Sequence, residues 1–273
     1  MTGLDALLIA ELLALGTCTG FLAGLLGIGG GMLMVPFVTA IVSHRGVPSA
    51  LAVKMAIATS MATIVFTSLS SVRAHHRRGA VRWDVAATLA PGIVAGSLLT
   101  GALLFPRLNG RVLAFAFALF VGYSATQMLI DRKPAASRQL PGTAGRLAMG
   151  GVIGGLSGLV GAGGGFVSVP FMTWCNVPIH QAIATSAALG FPIAAASTVG
   201  NLIGGRGVEA PIAGASGYLY LPALAVISLA SVLTAPLGAR AAHALDVRQL
   251  KRVFALLLYA LASYMVWKSW SGR

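Results

Sequence analysis

The segments GLLGIGGGMLMVPF, from Gly24 to Phe37, and GLVGAGGGFVSVPF, from Gly158 to Phe171, are two copies of one motif and agree at 9 of 14 positions. Each copy is followed by the string AIATS, at residues 56–60 and 182–186, and both lie in long apolar stretches. Glycine-interrupted apolar segments at matching positions of two halves are typical of a transporter's binding site. The duplication therefore makes the two glycine-rich segments the first candidates for a binding site.

The composition predicts a membrane protein. Of the 273 residues, 57% are hydrophobic and only 9% are charged, whereas a soluble domain carries about 25% charged residues. Apolar runs long enough to cross a bilayer recur along the chain, and they lack the alternation of barrel strands. We therefore expect an all-α, polytopic transmembrane bundle. The net charge of +13 comes from basic residues in short loops, which favours membrane topology over nucleic-acid binding.

Ten apolar segments are predicted. They are 4–28, 32–42, 50–72, 85–105, 112–130, 147–162, 166–175, 179–203, 218–239 and 253–267. This divides the chain into a first transmembrane repeat, 1–130, a linker loop, 131–146, and a second repeat, 147–273.

Two topologies remain open at this point. Five crossing segments per half would make the repeats inverted, with both termini outside. If the short arms 32–42 and 166–175 are instead re-entrant, four spans per half would make the repeats parallel. Five segments place 12 basic residues on one side and 6 on the other, whereas four segments divide the same residues 7 to 11. The positive-inside rule favours the first distribution and hence inverted repeats.

The glycine triplets predict broken helices. Three consecutive glycines interrupt a helix, and exposed backbone inside a bilayer is tolerated only beside buried protein or a wet cavity. Because a new apolar helix follows each break, its first amides and positive dipole end favour an anion. The predicted substrate-binding glycines are Gly27, Gly29, Gly30, Gly31, Gly161, Gly163, Gly164 and Gly165. The alternative, close helix packing, fits better the glycines spaced every four residues from Gly16 and from Gly150.

Hydroxyls and one cation complete the predicted site. Thr59 and Ser60 in the first half match Thr185 and Ser186 in the second, and all four are predicted to contact substrate. Their alternative role is a hydrogen bond to their own helix. Lys54, four residues into an apolar segment, is predicted to attract anions, although it could equally extend to the interface. Cys18 and Cys175 are predicted to be buried packing residues. No spacing supports a metal site, and no cofactor is expected.

The duplicated G-x-G-G-G-x-x-x-x-P-F motif, each copy followed by AIATS, resembles the sulfite exporter TauE/SafE family of bacterial inner-membrane permeases. The string ATSAALGFPI, residues 184–193, is particularly similar to the second half of those proteins. The resemblance covers residues 12–267 and implies export of sulfite, an organosulfonate or a related sulfur-containing anion. The features of this chain that the resemblance implies are functional are the two glycine turns and the two Thr-Ser pairs.

Other functions remain open. An anion channel would share these features, and a homo-oligomer is compatible with them. An intramembrane serine protease would use a G-x-S-G serine, Ser157 or Ser216, but a chain with 35 glycines produces such strings by chance.

Overall fold

The computed structural model describes residues 6–26, 30–130, 139–241 and 247–271. Within them the chain is almost entirely helical, as predicted, and seven helices are long and apolar enough to cross a membrane. The first half contains α1 (Ala6–Leu26), α2 (Gly31–His44), α3 (Ser49–His76), α4 (Trp83–Leu99), a π-helical turn (Thr100–Leu104), α5 (Phe105–Arg107) and α6 (Gly110–Ile130). The second contains α7 (Thr143–Val160), α8 (Gly165–Trp174), α9 (Ile179–Gly204), β1 (Ala215–Ser216), β2 (Leu219–Tyr220), α10 (Leu221–Ala241) and α11 (Val247–Ser271).

The helices occupy the predicted apolar segments, with α4, the π turn and α5 forming one continuous segment. The two short strands pair in antiparallel fashion ahead of α10. The linker residues 131–138 and both chain ends lie outside the described residues.

Each half packs its first helix against the fourth helix of the other half. α1 lies along α10, and α7 lies along α4. We call these two helix–helix interfaces seams. The glycines that recur every four residues line them, because each faces a backbone carbonyl of the partner helix. The pairs are Gly16–Ile227, Gly20–Ser231 and Gly24–Ala235 in one seam, and Gly150–Leu89, Gly154–Ile93 and Gly158–Ser97 in the other. These glycines serve helix packing, as the four-residue spacing indicates.

Two long central helices, α3 and α9, lie side by side at the middle of the bundle. They run in opposite directions, because Ser68 contacts Gly190 whereas Arg82, just beyond the end of α3, meets Thr185 near the start of α9. α3 runs in the same direction as α10, with Thr59 bonded to Tyr220 and Thr67 bonded to Ser231.

The short helices α2 and α8 run only part of the way across the bundle. α2 has 14 residues and α8 has 10, which is about 21 Å and 15 Å at 1.5 Å per residue. Gly30 lies against Thr19, and His44 lines a groove with Leu7 and Glu11. α2 therefore starts beside the second half of α1 and returns to the end of the bundle where α1 begins.

Candidate functional site

Two glycines in left-handed conformation start the short helices. Gly30 precedes α2 with φ 72° and Gly164 precedes α8 with φ 79°, and neither helix has a side-chain cap. Residues other than glycine rarely adopt this conformation. The amides of the first helical turn have no acceptor within their own helix. The predicted helix breaks are therefore present next to Gly30 and Gly164, whereas Gly27 and Gly29 lie outside the described residues.

The two glycine turns contact each other. A Cβ atom on Gly31, the first residue of α2, would collide with the carbonyl oxygen of Gly161, and it would lie 3.0 Å from Cδ1 of Ile64. Ile64 is near the midpoint of α3, which spans Ser49–His76. The amino end of α2 therefore meets the carboxyl end of α7 in the middle of the bundle.

Buried hydroxyls line the interior of the bundle on the helices that meet near this contact. α3 carries a run of them along its length, and α7, α8 and α9 contribute others. All have 3% or less of their surface exposed: Thr59, Ser60, Thr63, Thr67, Ser68, Ser71, Ser157, Ser168, Thr185, Ser186 and Ser197. This polar interior contrasts with the apolar side chains on the outside of the same helices.

Thr59 and Thr185 hold the two halves together through equivalent hydrogen bonds. The backbone N–H of Tyr220, just before α10, donates to the Thr59 hydroxyl at 3.0 Å. The backbone N–H of Arg82, just before α4, donates to the Thr185 hydroxyl at 2.9 Å. In each case the threonine of one half accepts an amide at the start of the fourth helix of the other half. This bond is neither of the two roles considered from sequence.

The two serines that follow these threonines differ in their surroundings. The Ser168 hydroxyl donates to Ser186 Oγ at 2.9 Å, which ties α8 to α9. In the first half, Met34 takes the place of Ser168 in the motif. Ser60 is buried and its hydroxyl has no hydrogen-bond partner. A buried polar group without a partner is uncommon, so Ser60 remains available to a ligand or water.

Two further serines are candidate substrate ligands that the sequence analysis did not single out for this role. Ser157 and Ser197 are fully buried, and their hydroxyls also have no hydrogen-bond partner. Ser157 Oγ would lie 3.3 Å from a Cβ on Gly164, and Ser197 Oγ would lie 3.0 Å from one on Gly158. The sequence signal for Ser157 was its position four residues before the second glycine turn.

A small space lies beside the second glycine turn. A cavity of about 10 Å³ is lined by Gly163, Ser186, Gly190 and the hydroxyl-bearing face of α3, together with Ala23 and Ala187. This volume suits about one water molecule and is too small for an oxyanion such as sulfite. The two turns contact each other separately from this cavity, where Gly31 lies against Gly161.

Lys54 lies away from this contact. Its ammonium group donates to the Pro106 carbonyl at 2.9 Å and lies 5.6 Å from the centre of the Tyr218 ring. Lys54 precedes Ile64 by ten residues on α3, about 15 Å along the helix. It therefore ties α3 to the end of α5 near one end of the bundle, and its predicted attraction of anions stays a prediction.

The two cysteine predictions have opposite outcomes, and the serines of the G-x-S-G strings can be located. Cys175 is buried as predicted, whereas Cys18 is exposed, so the prediction for Cys18 was wrong. Ser157 Oγ has no hydrogen-bond partner, although a serine nucleophile needs a base within reach. Ser216 lies exposed on β1. Among the described residues there is no group of His, Cys, Asp or Glu that could hold a metal ion.

Comparison with known proteins identifies the chain's relatives. The family model for the sulfite exporter TauE/SafE matches residues 12–265. A probable membrane transporter protein of Haemophilus influenzae is 37% identical over 257 residues, covering 94% of this chain and 97% of that protein. One from Methanocaldococcus jannaschii is 26% identical over 270 residues, covering 95% and 96%. No solved structure matches the chain significantly.

The family match spans nearly the whole chain and contains both glycine turns and both Thr-Ser pairs. The seven long apolar helices agree with the membrane location of the relatives. The chain is a multi-pass membrane transporter that belongs to the TauE/SafE sulfite exporter family.

Proposed function

We propose that this transporter exports sulfite, an organosulfonate or a related small sulfur-containing anion across a bacterial inner membrane. The proposed binding site is the place where the two glycine turns meet. The observation that carries the proposal is the contact between Gly31 and Gly161 at the middle of the bundle, next to buried hydroxyls with no partner.

The chemistry of the site suits an anion. The first amides of α2 and α8 and the positive ends of these helices lie at the turns, and amide donors at a helix start favour negative charge. Ser60 and Ser157 add neutral donors. An inside-negative potential favours anion exit by about 2.3 kcal/mol per charge per 100 mV, so export needs no coupling carboxylate.

In this proposal the turns separate during transport, because Gly31 lies directly against Gly161 and leaves no room for an anion between them. In the proposed cycle the amino end of α2 first moves away from Gly161, and the anion enters between the turns from one side of the membrane. The turns then close again, and the site opens to the other side of the membrane. Thr59 and Thr185 connect the moving halves on either side of this contact.

The helix directions support inverted repeats. α3 and α9 run in opposite directions, and α2 returns the chain to the end at which α1 starts. The end of the bundle that carries Arg73, Arg77, Arg78 and Arg240 is proposed to be cytoplasmic, by the positive-inside rule.

This topology predicts different labelling of two single cysteines in a variant in which Cys18 and Cys175 are replaced by alanine. A cysteine at Arg77 is expected to resist a membrane-impermeant maleimide applied to intact cells, whereas a cysteine at Arg206, after the end of α9, is expected to react. In inverted vesicles the pattern should reverse. Equal labelling of both sites in intact cells would contradict the inverted arrangement.

The substrate is tested with purified protein in liposomes under an imposed membrane potential. We expect saturable, potential-driven flux of sulfite that organosulfonates inhibit and that chloride or acetate does not. A transporter that moves chloride or acetate equally well would contradict the proposed substrate class. Single-channel currents in a planar bilayer would replace the carrier mechanism with a pore.

A further inference from the structure

An arginine-lined cleft lies at one end of α3 and α10. It has a volume of about 400 Å³. Its lining is Ser70, Arg73, Ala74, Arg77, Arg78, Pro236 and Arg240. The Ser70 hydroxyl donates to the Val232 carbonyl at 2.8 Å, and Arg78 reaches the Ala239 carbonyl at 3.4 Å. These two bonds join α3 to α10 along the cleft.

The charge of the cleft is not balanced by the described part of the chain. None of the described residues that line it is a carboxylate. Asp84, the described acid nearest in sequence, is held by Arg82 through two hydrogen bonds of 2.9 and 2.6 Å. Four guanidinium groups around one opening therefore favour an anion with several oxygen atoms.

The duplicated fold has no arginine at the positions that correspond to two of these four. Counting from the shared AIATS string, Arg73 and Arg77 on α3 correspond to Val199 and Ile203 on α9. Both counterparts are exposed and apolar. A general preference for basic residues at one membrane side explains positive charge in this region, but it does not require them to line one cleft.

The cleft continues directly into the outer apolar surface. On α3, the exposed side chains Phe66 and Leu69 precede Arg73 and Arg77 on the same face. On α10, exposed Leu229, Leu233 and Leu237 precede Arg240 in the same way. A ligand with an anionic head in the cleft could thus lay its hydrocarbon chains along these two faces.

We propose that this cleft binds the phosphate headgroup of an anionic phospholipid. The arginines contact the phosphate oxygens, and the acyl chains follow the apolar faces of α3 and α10. Basic pockets between transmembrane helices are known to hold anionic lipid headgroups. A free phosphate or the transported anion would share the arginine contacts but would gain nothing from the adjoining apolar faces. The proposed topology assigns the lipid to the cytoplasmic leaflet, but binding itself does not depend on the transported substrate.

The test compares phosphatidylglycerol with phosphatidylcholine of identical acyl chains, bound to the purified full-length protein and counted by native mass spectrometry. We expect the wild type to retain phosphatidylglycerol preferentially. The double variant Arg77→Gln/Arg240→Gln should lower that preference by roughly 25-fold, about fivefold for each arginine. The matched control, Arg111→Gln/Arg206→Gln, removes the same charge at the other end of the bundle and should leave the preference unchanged.

Thermal stability measurements distinguish a bound lipid from a soluble anion in the cleft. Phosphatidylglycerol is expected to raise the melting temperature of the wild type, whereas millimolar inorganic phosphate or sulfite is not. Equal protection by either inorganic anion would assign the cleft to a soluble ligand and overturn the lipid proposal. Equal retention of the two lipids by the wild type would also overturn it, whether or not the double variant folds.

Discussion

Replacing Gly31 with alanine is expected to lower the rate of sulfite transport roughly 100-fold, which is about 2.7 kcal/mol of activation free energy. The added Cβ would collide with the carbonyl oxygen of Gly161, so the two turns could no longer close on each other. Gly31 is the first residue of α2 and, unlike Gly30, does not have a positive φ, so alanine fits its backbone conformation. The effect is therefore expected on transport more than on helix formation, and it is measured as initial flux into liposomes at equal protein content.

Gly122→Ala is the matched control. Gly122 also lies within a helix, α6, but no atom lies within 4 Å of the position that its Cβ would take. Its variant should transport at the wild-type rate. If Gly31→Ala transports as fast as Gly122→Ala in correctly inserted protein, contact between the turns is not part of the mechanism.

Removing the hydroxyl of Thr59 or Thr185 should destabilise the transporter. Valine at either position leaves a backbone N–H, of Tyr220 or Arg82, without its acceptor. An orphaned donor costs about 1–3 kcal/mol when it is buried, as the Tyr220 amide is, and less when it is half-buried, as the Arg82 amide is. We therefore expect a lower melting temperature for each variant, with a larger loss in the double variant. Thr59→Ser should recover most of the stability because it keeps the hydroxyl.

Thr63→Val distinguishes this effect from the loss of any buried hydroxyl. Thr63 is fully buried on the same helix and donates to the Thr59 carbonyl at 3.0 Å, within its own helix. Its replacement should change the melting temperature much less. Equal losses for Thr59→Val and Thr63→Val would show that the bond between the halves contributes nothing specific.

Much of the fold could be predicted because the chain repeats itself. The duplicated glycine motif indicated two broken helices, and the structure has breaks next to Gly30 and Gly164, both in left-handed conformation. The four-residue glycine spacing indicated helix packing, and Gly20 and Gly154 lie in two equivalent seams. Local spacing was sufficient for these features because each depends on residues within a few turns.

Features that depend on distant residues could not be predicted in this way. Thr59 meets Tyr220 across 161 positions and Thr185 meets Arg82 across 103, so neither partner could be read from the surrounding sequence. Cys18 was placed inside because it lies in an apolar segment, but in a membrane protein an apolar segment also has an outward face. Likewise, Ser68 lines the small cavity beside Gly163 because of the way α3 packs against α9, which the local sequence does not indicate.

The cross-packing of α1 on α10 has a consequence for biosynthesis. α1 begins at Ala6 and its partner begins at Leu221, so at 5–20 residues per second the ribosome needs roughly 10–40 s to supply that partner. During this interval the glycine-lined face of α1 has no packing partner from its own chain. The nascent polypeptide must therefore complete most of its synthesis before its first helix can dock, and we expect a chain truncated before α10 to be recognised by membrane quality-control proteases.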